Sequence, residues 1–290
     1  MSITIADGEL EATFLPEVGM LGTSLRSRGE ELIDLSERVF GYEKGRQTGL
    51  PLLAPWANRL AGWSYRAGGV DVDLTGLPLS TDEHDLPIHG TMTAAAGWEV
   101  VERRDARLWA KFQYGERPDL LAAFPFPHEL EIDAGVGGDA LRITTTLRPT
   151  SERPVPVAFG WHPYLRLPGG ARASWRLRLP EREHLELDER GIPTGASKSE
   201  PAEAERIGDR TFDDLYALGD NHELAIESSA RRLTVRYEAG YPYAQVFAPP
   251  GADFACIEPM TAPTNALGTG ACPLVATGES FRATFSIAIT

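Results

Sequence analysis

The sequence predicts an all-β protein, a large antiparallel β-sandwich with very little helix, and three observations carry that prediction. The first is hydrophobic periodicity of two. In Arg107 to Tyr114, Leu108, Ala110, Phe112 and Tyr114 share one face while Arg107, Lys111 and Gln113 share the other, the pattern of a strand with one side buried. The second is turn chemistry between such segments, since glycine reaches the positive φ that tight hairpins require. The third is composition: 29 glycines and 22 prolines in 290 residues exceed the usual ~12% share and fit many short strands joined by turns.

Taken in order, Asp7-Gly8 and Gly68-Gly69 mark hairpin turns, and Arg107 to Tyr114 is a strand. Pro118 to Ala123 is the best helix candidate, a turn or two that Pro125 and Pro127 end. His128 to Ala134 and Leu141 to Leu147 alternate on either side of the Gly137-Gly138-Asp139 turn, and Leu233 to Tyr237 and Phe281 to Ile289 alternate likewise. Pro180 to Arg210 is the most polar and least periodic stretch and reads as a long surface excursion with one short strand near His184 to Leu187. Roughly fifteen to twenty strands cannot remain one open sheet, so two or more stacked sheets are expected. No repeat, low-complexity tract or linker interrupts the chain, which reads as one domain over residues 1–290.

Charge and composition restrict the partners. A net charge of -14 opposes binding to nucleic acid and to anionic membrane, both of which are held through excess Lys and Arg. No apolar run approaches the ~18 to 20 residues of a membrane span. The opening MSITIADGEL lacks a basic and then apolar leader, so the cytoplasm is the expected location. Cys256 and Cys272, without a CxxC pair or histidines at ligand spacing, predict neither a zinc site nor a disulfide framework. A neutral small molecule is the expected partner.

Five short segments place polar groups inside apolar frames: Asn58-Arg59 in PLLAPWANRL, His89-Gly90 in LPIHG, His162 in FGWHPYLRL, Asp213 in TFDDLY and Glu258 in FACIEPM. Charged side chains are rarely buried unless paired, so such groups are either satisfied structural residues or parts of a site. Pro163 presses His162 toward extended backbone, and alternation puts Phe254, Cys256 and Glu258 on one face. The remaining histidines, His84, His128, His184 and His222, lie in polar or strand-edge contexts and read as surface residues.

In order and rough spacing, these five segments resemble those of the aldose 1-epimerases, or mutarotases, from about Gly8 to the last strand. The resemblance implies a β-sandwich that holds a sugar in a cleft on its concave face. It also implies interconversion of α and β anomers: a base removes the C1 hydroxyl proton, an acid protonates the ring oxygen, the C1–C2 bond rotates and the ring recloses. Two side chains titrating near neutrality suffice for this chemistry, so no cofactor or metal is expected. By resemblance Glu258 is the base and His162 the acid, while His89, Asn58, Arg59, Asp213 and Gln245 bind the sugar. Asp214 is an alternative to Asp213. Trp161, and with less reason Trp56 and Tyr164, could offer an apolar ring to the sugar. To donate at pH 7, His162 must be protonated, and a neighbouring Asp213 or Glu258 would favour that form.

The histidine segment Trp-His-Pro-Tyr-Leu-Arg-Leu and Thr91 after His89-Gly90 depart from the galactose-specific pattern, so the resemblance implies the chemistry and leaves the sugar open. Other readings of the same residues are a hexose-6-phosphate mutarotase with Arg166 and Arg172 as phosphate ligands, a non-catalytic carbohydrate-binding protein, and a glycoside hydrolase using Asp213 and Glu258.

Overall fold

The computed structural model describes residues 1–35 and 48–290. Two large sheets dominate it. A nine-stranded sheet runs in the order Glu203–Arg206, Arg176–Leu179, Glu223–Glu227, Arg232–Ala239, Phe281–Ile289, Ala140–Pro149, His128–Gly137, Arg107–Gln113 and Glu99–Arg104. An eight-stranded sheet runs Pro193–Glu200, Arg182–Leu187, Phe212–Leu218, Tyr243–Ala248, Ala255–Met260, Gly160–Trp161 and Leu52–Leu53, with Tyr164–Leu165 also paired to Ala255–Met260. A four-stranded sheet made from Ile3–Asp7, Leu10–Leu15, Leu21–Ser27 and Glu30–Glu31 joins the larger body where the Ala6 amide donates to Asp105 O at 2.6 Å.

The expected turns lie where glycine allows them: Gly8, Gly68, Gly69 and Gly138 have φ of 59°, 52°, 79° and 60° and join successive antiparallel strands. Period-two alternation becomes burial directly. Leu108, Ala110 and Phe112 are buried opposite Ala134, Ile132 and Leu130 on the neighbouring strand, and truncating such a residue to Ala costs about 2–5 kcal/mol. One continuous core joins the inner faces of the two large sheets, with Tyr216, Val246 and Ile257 from one and Leu233, Phe285 and Ile287 from the other. Among the described residues α-helix is limited to Pro118–Leu121, inside the expected segment, and Ala266–Thr269. No described helix is long and apolar enough to cross a membrane.

Two sequence expectations are corrected. Pro180 to Arg210 holds three strands, Arg182–Leu187, Pro193–Glu200 and Glu203–Arg206, where one was expected. Pro193–Glu200 is exposed along nearly its whole length, so it has no apolar face to produce a periodic signal, and its backbone pairing alone makes it a strand. His128 is not at the surface. It begins the buried face that continues through Leu130, Ile132 and Ala134, stacks on Tyr114 at 4.4 Å, and bonds Phe126 O through Nδ1 at 2.7 Å.

Candidate active site

Strand register gathers three of the expected residues, with Phe247, on one face of the eight-stranded sheet. Asp213 lies opposite Phe247, and Gln245 lies opposite Glu258; directly opposed residues of antiparallel strands share a face. Asp213, Gln245, Phe247 and Glu258 therefore project together, away from the main core. Asp214, one residue along, projects to the other side, where its carboxylate lies 3.4 Å from His184 Nε2. That geometry selects Asp213 over Asp214; His184 is half-buried at the surface, with Glu200 3.1 Å from its other ring nitrogen.

His162 reaches the same face from the short segment between Gly160–Trp161 and Tyr164–Leu165. Its amide donates to Pro51 O at 3.1 Å, and its ring stacks on Tyr164 at 4.4 Å with 8° between the planes. Gly160 is required for the close approach of these strands, since a Cβ there would stand 2.7 Å from Pro259 O. Successive residues of an extended chain point oppositely, so if His162 faces the cleft Trp161 must face the core. It is 0% exposed, donates from Nε1 to Thr145 Oγ1 at 3.0 Å, and packs near Phe285. The expectation that Trp161 contacts a sugar is thus corrected. Trp56 is also a core residue, packed near Tyr65, whereas Tyr164 lines the cleft.

Asn58-Arg59 and His89-Gly90 form the opposing wall. Asn58, His89 and Gly90 have φ of 56°, 63° and 65°, left-handed values uncommon for residues other than glycine. The His89 amide donates to Asn58 O at 3.0 Å and binds the two turns together. At Gly90 only glycine fits, because a Cβ would overlap Ala54 O. Arg59 is 7% exposed and donates from Nε to Asp82 Oδ2 at 2.7 Å, from Nη1 to Asn58 Oδ1 at 3.2 Å and from Nη2 to Asp213 Oδ2 at 3.2 Å. Asp213 Oδ1 accepts from Gln245 Nε2 at 2.6 Å. Burial opposes the Arg59 charge, but Asp213, Asp82 and Glu83 more than offset it, so its pKa rises.

These walls enclose a cleft of about 310 Å³, within the usual size for a small-molecule site. At its floor His162 Nε2 stands 3.2 Å from Glu258 Oε1, with side chains 6% and 2% exposed, and the His89 ring meets the His162 ring edge-on at 5.4 Å. Burial, with the nearby Asp213 charge, pushes the Glu258 carboxyl well above its ordinary range against the pull of Arg59. Burial also pulls His162 down to about 3. His89 falls well below 6.5 through burial and the neighbouring His162 and Arg59 charges. The adjacent carboxylate thus does not keep His162 charged, as sequence reasoning expected, because desolvation of both partners outweighs their attraction. Burial favours the uncharged form of each partner, with a proton on Glu258 and none added to His162. His89 Nδ1, Gln245 Oε1 and Glu258 Oε2 are buried without hydrogen-bond partners in the protein, so the cleft offers polar groups of both kinds to a ligand.

Asn58, Arg59, His89, His162, Tyr164, Asp213, Gln245 and Glu258 all meet here; the two tryptophans, Trp161 and Trp56, lie in the core instead. Asp82 and Gly191 were not expected. Gly191 lies at the turn after Arg182–Leu187, where a Cβ would come within 3.0 Å of Arg59 Nη1. Part of the polar 180–210 stretch therefore covers this wall.

Comparison with known proteins identifies the family and the fold. The family model described as aldose 1-epimerase matches residues 1–288. No curated protein sequence matches the chain. Among solved structures, a galactose mutarotase-like protein from Clostridium acetobutylicum superposes with a TM-score of 0.87 at 20% identity, over 100% of this chain and 95% of that one. A GalM/aldose epimerase homologue from C. elegans gives 0.83 at 17% identity, covering 100% and 98%. The galactose 1-epimerase from Lactobacillus acidophilus NCFM gives 0.78 at 18%, covering 100% and 94%. Such identities establish a shared fold, and the match along nearly the whole sequence establishes the kinship: the chain belongs to the aldose 1-epimerase family.

Proposed function

We propose that this protein is an aldose 1-epimerase that interconverts the α and β anomers of a free aldose. The observation that carries the reading is the buried His162–Glu258 pair, 3.2 Å apart at the floor of a polar cleft. Once the sugar is bound and the proton has passed from Glu258 to His162 across their 3.2 Å contact, Glu258 takes the C1 hydroxyl proton while His162 protonates the ring oxygen, and the C1–O5 bond breaks. Protons balance: Glu258 ends protonated and His162 neutral, the form that burial favours in this site. After rotation about C1–C2, His162 takes back the C5 hydroxyl proton as O5 attacks C1, and Glu258 protonates the C1 oxygen on the other face. Every proton the reaction needs moves between these two side chains and the sugar.

Arg59, Asp213, Gln245, Asn58 and His89 hold the ring hydroxyls. A non-catalytic sugar binder has no need of a buried acid–base pair. Free sugars are preferred to sugar phosphates because Arg59 is the one cation lining the cleft among the described residues, and Asp82, Asn58 and Asp213 already engage it. Arg166 is exposed outside that lining, and Arg172 is buried elsewhere.

Anomer exchange measured by NMR or polarimetry across glucose, galactose and other free aldoses tests the reading, and no acceleration on any of them would refute it. Competing glucose against glucose 6-phosphate at low and high salt tests the substrate class. A kcat/KM tenfold or more in favour of the phosphate, collapsing with salt, would overturn the free-sugar assignment.

A further inference from the structure

We propose that Asp82 is a positioning residue for the sugar site: its carboxylate fixes the rotation of the Arg59 guanidinium, and through it Asp213, without touching the sugar. The inference rests on the epimerase reading of the cleft but concerns a residue that reading does not require. The Asp82 side chain is 2% exposed, and both of its oxygens are engaged within the protein. Oδ1 accepts the amides of His84 and Leu86, each at 2.9 Å, and so builds the turn that returns the chain to Ile88. Oδ2 accepts Arg59 Nε at 2.7 Å. One carboxylate thus couples the geometry of a turn to the angle of a guanidinium.

The guanidinium is also packed closely by backbone from another part of the chain. Gly191, with φ of 73°, packs its backbone so closely that a Cβ would stand 3.0 Å from Nη1. The rest of the array follows in series, Nη2 to Asp213 Oδ2 at 3.2 Å and Asp213 Oδ1 to Gln245 Nε2 at 2.6 Å. A long arginine side chain loses much rotamer freedom when it is ordered. Asp82 and Gly191 have it ordered before the sugar arrives, which favours binding of ground and transition states alike.

The test is Asp82→Asn, with glucose and galactose as probes, reading exchange kinetics and, separately, sugar affinity by NMR titration. The amide keeps an oxygen for the turn but sets a donor against Arg59 Nε. Expected are a rise of about tenfold in KM and in the sugar dissociation constant, kcat within about twofold of wild type, and unmoved limbs in the pH profile. In an Arg59→Met background the same substitution should add nothing. Unchanged KM in a folded Asp82→Asn variant, or full additivity with Arg59→Met, overturns the proposal. If Asp82→Asn does not fold, Gly191→Ala carries the test, since it presses on the guanidinium and leaves the Asp82 turn intact; the same KM rise is expected, and none overturns the proposal. A wild-type protein that binds these sugars without exchanging them refutes the epimerase reading while the affinity arm still tests Asp82. Absence of both binding and exchange overturns both.

Discussion

Two places in this molecule bury a histidine stacked 4.4 Å from a tyrosine, His128 on Tyr114 and His162 on Tyr164. Burial pulls both imidazoles far below their ordinary range, to about 4 and about 3. Burial, stacking and a depressed pKa therefore do not separate a structural histidine from a reactive one. The partner does. His128 spends Nδ1 on the carbonyl of Phe126 inside the core, and a backbone carbonyl can fix an imidazole but cannot exchange a proton with it. His162 turns Nε2 toward Glu258, a group that can. The lesson is that a site is defined by what a buried base can trade with, and by an open route to the trade.

Substitution at the two places should break or sharpen that contrast. The largest effect is expected for Glu258→Gln, a loss of about 10³-fold in anomer exchange with sugar affinity largely kept, against a change within about twofold for His128→Gln. Comparable losses in both variants, measured by NMR exchange on folded protein, would erase the distinction. His162→Asn should lose about 10² to 10³-fold. The Glu258→Gln/His162→Asn double variant should be little worse than the poorer single one, because the two groups serve one proton transfer; losses that multiply would assign them to separate steps.

The pH dependence is sharper still. The His162–Glu258 pair titrates as a unit, gaining its second proton only near the depressed His162 value of about 3 and losing the shared one well above the carboxylate range. The acid limb of the rate should therefore lie near pH 3 rather than at 6.5, the ordinary imidazole midpoint. An acid limb centred at 6.5 would mean that His162 titrates as a free imidazole.

The smallest effect is on stability. His128 is neutral in the folded protein down to about pH 4, whereas the unfolded chain binds that proton from about pH 6.5 downward. Its contribution is complete above pH 6.5 and is lost as pH falls toward 4, by about 3 kcal/mol at most. His128→Gln should flatten this part of the acid side of a plot of Tm against pH without changing exchange at pH 7. An unaltered acid slope would show that the His128 ring is not held neutral.

Much of this was written locally in the chain. The strands at 107–113, 128–137 and 281–289 announce themselves because one face of each meets the core, and five polar interruptions of apolar frames pointed to residues that meet in one cleft. What stayed hidden depended on distant partners. Pro193–Glu200 buries neither face, and Asp82 lies in a turn that reads as solvent until Arg59, 23 positions earlier, is brought to it. Trp161 misled for a related reason: adjacency to His162 in sequence means the opposite side in an extended chain. His128 misled because its polarity hid its place in the buried period.

One feature of the central strand bears on how the chain reaches its fold. Ala255–Met260 is buried on both sides, with Glu258 toward the cleft and Ile257 toward the core. A slip of one residue against Tyr243–Ala248 would exchange them, driving a carboxyl group into hydrocarbon and exposing an isoleucine, an error of several kcal/mol. An apolar residue at position 258 would remove that penalty and let neighbouring registers compete. The residue assigned to proton transfer therefore also weights the pairing of this strand toward a single register.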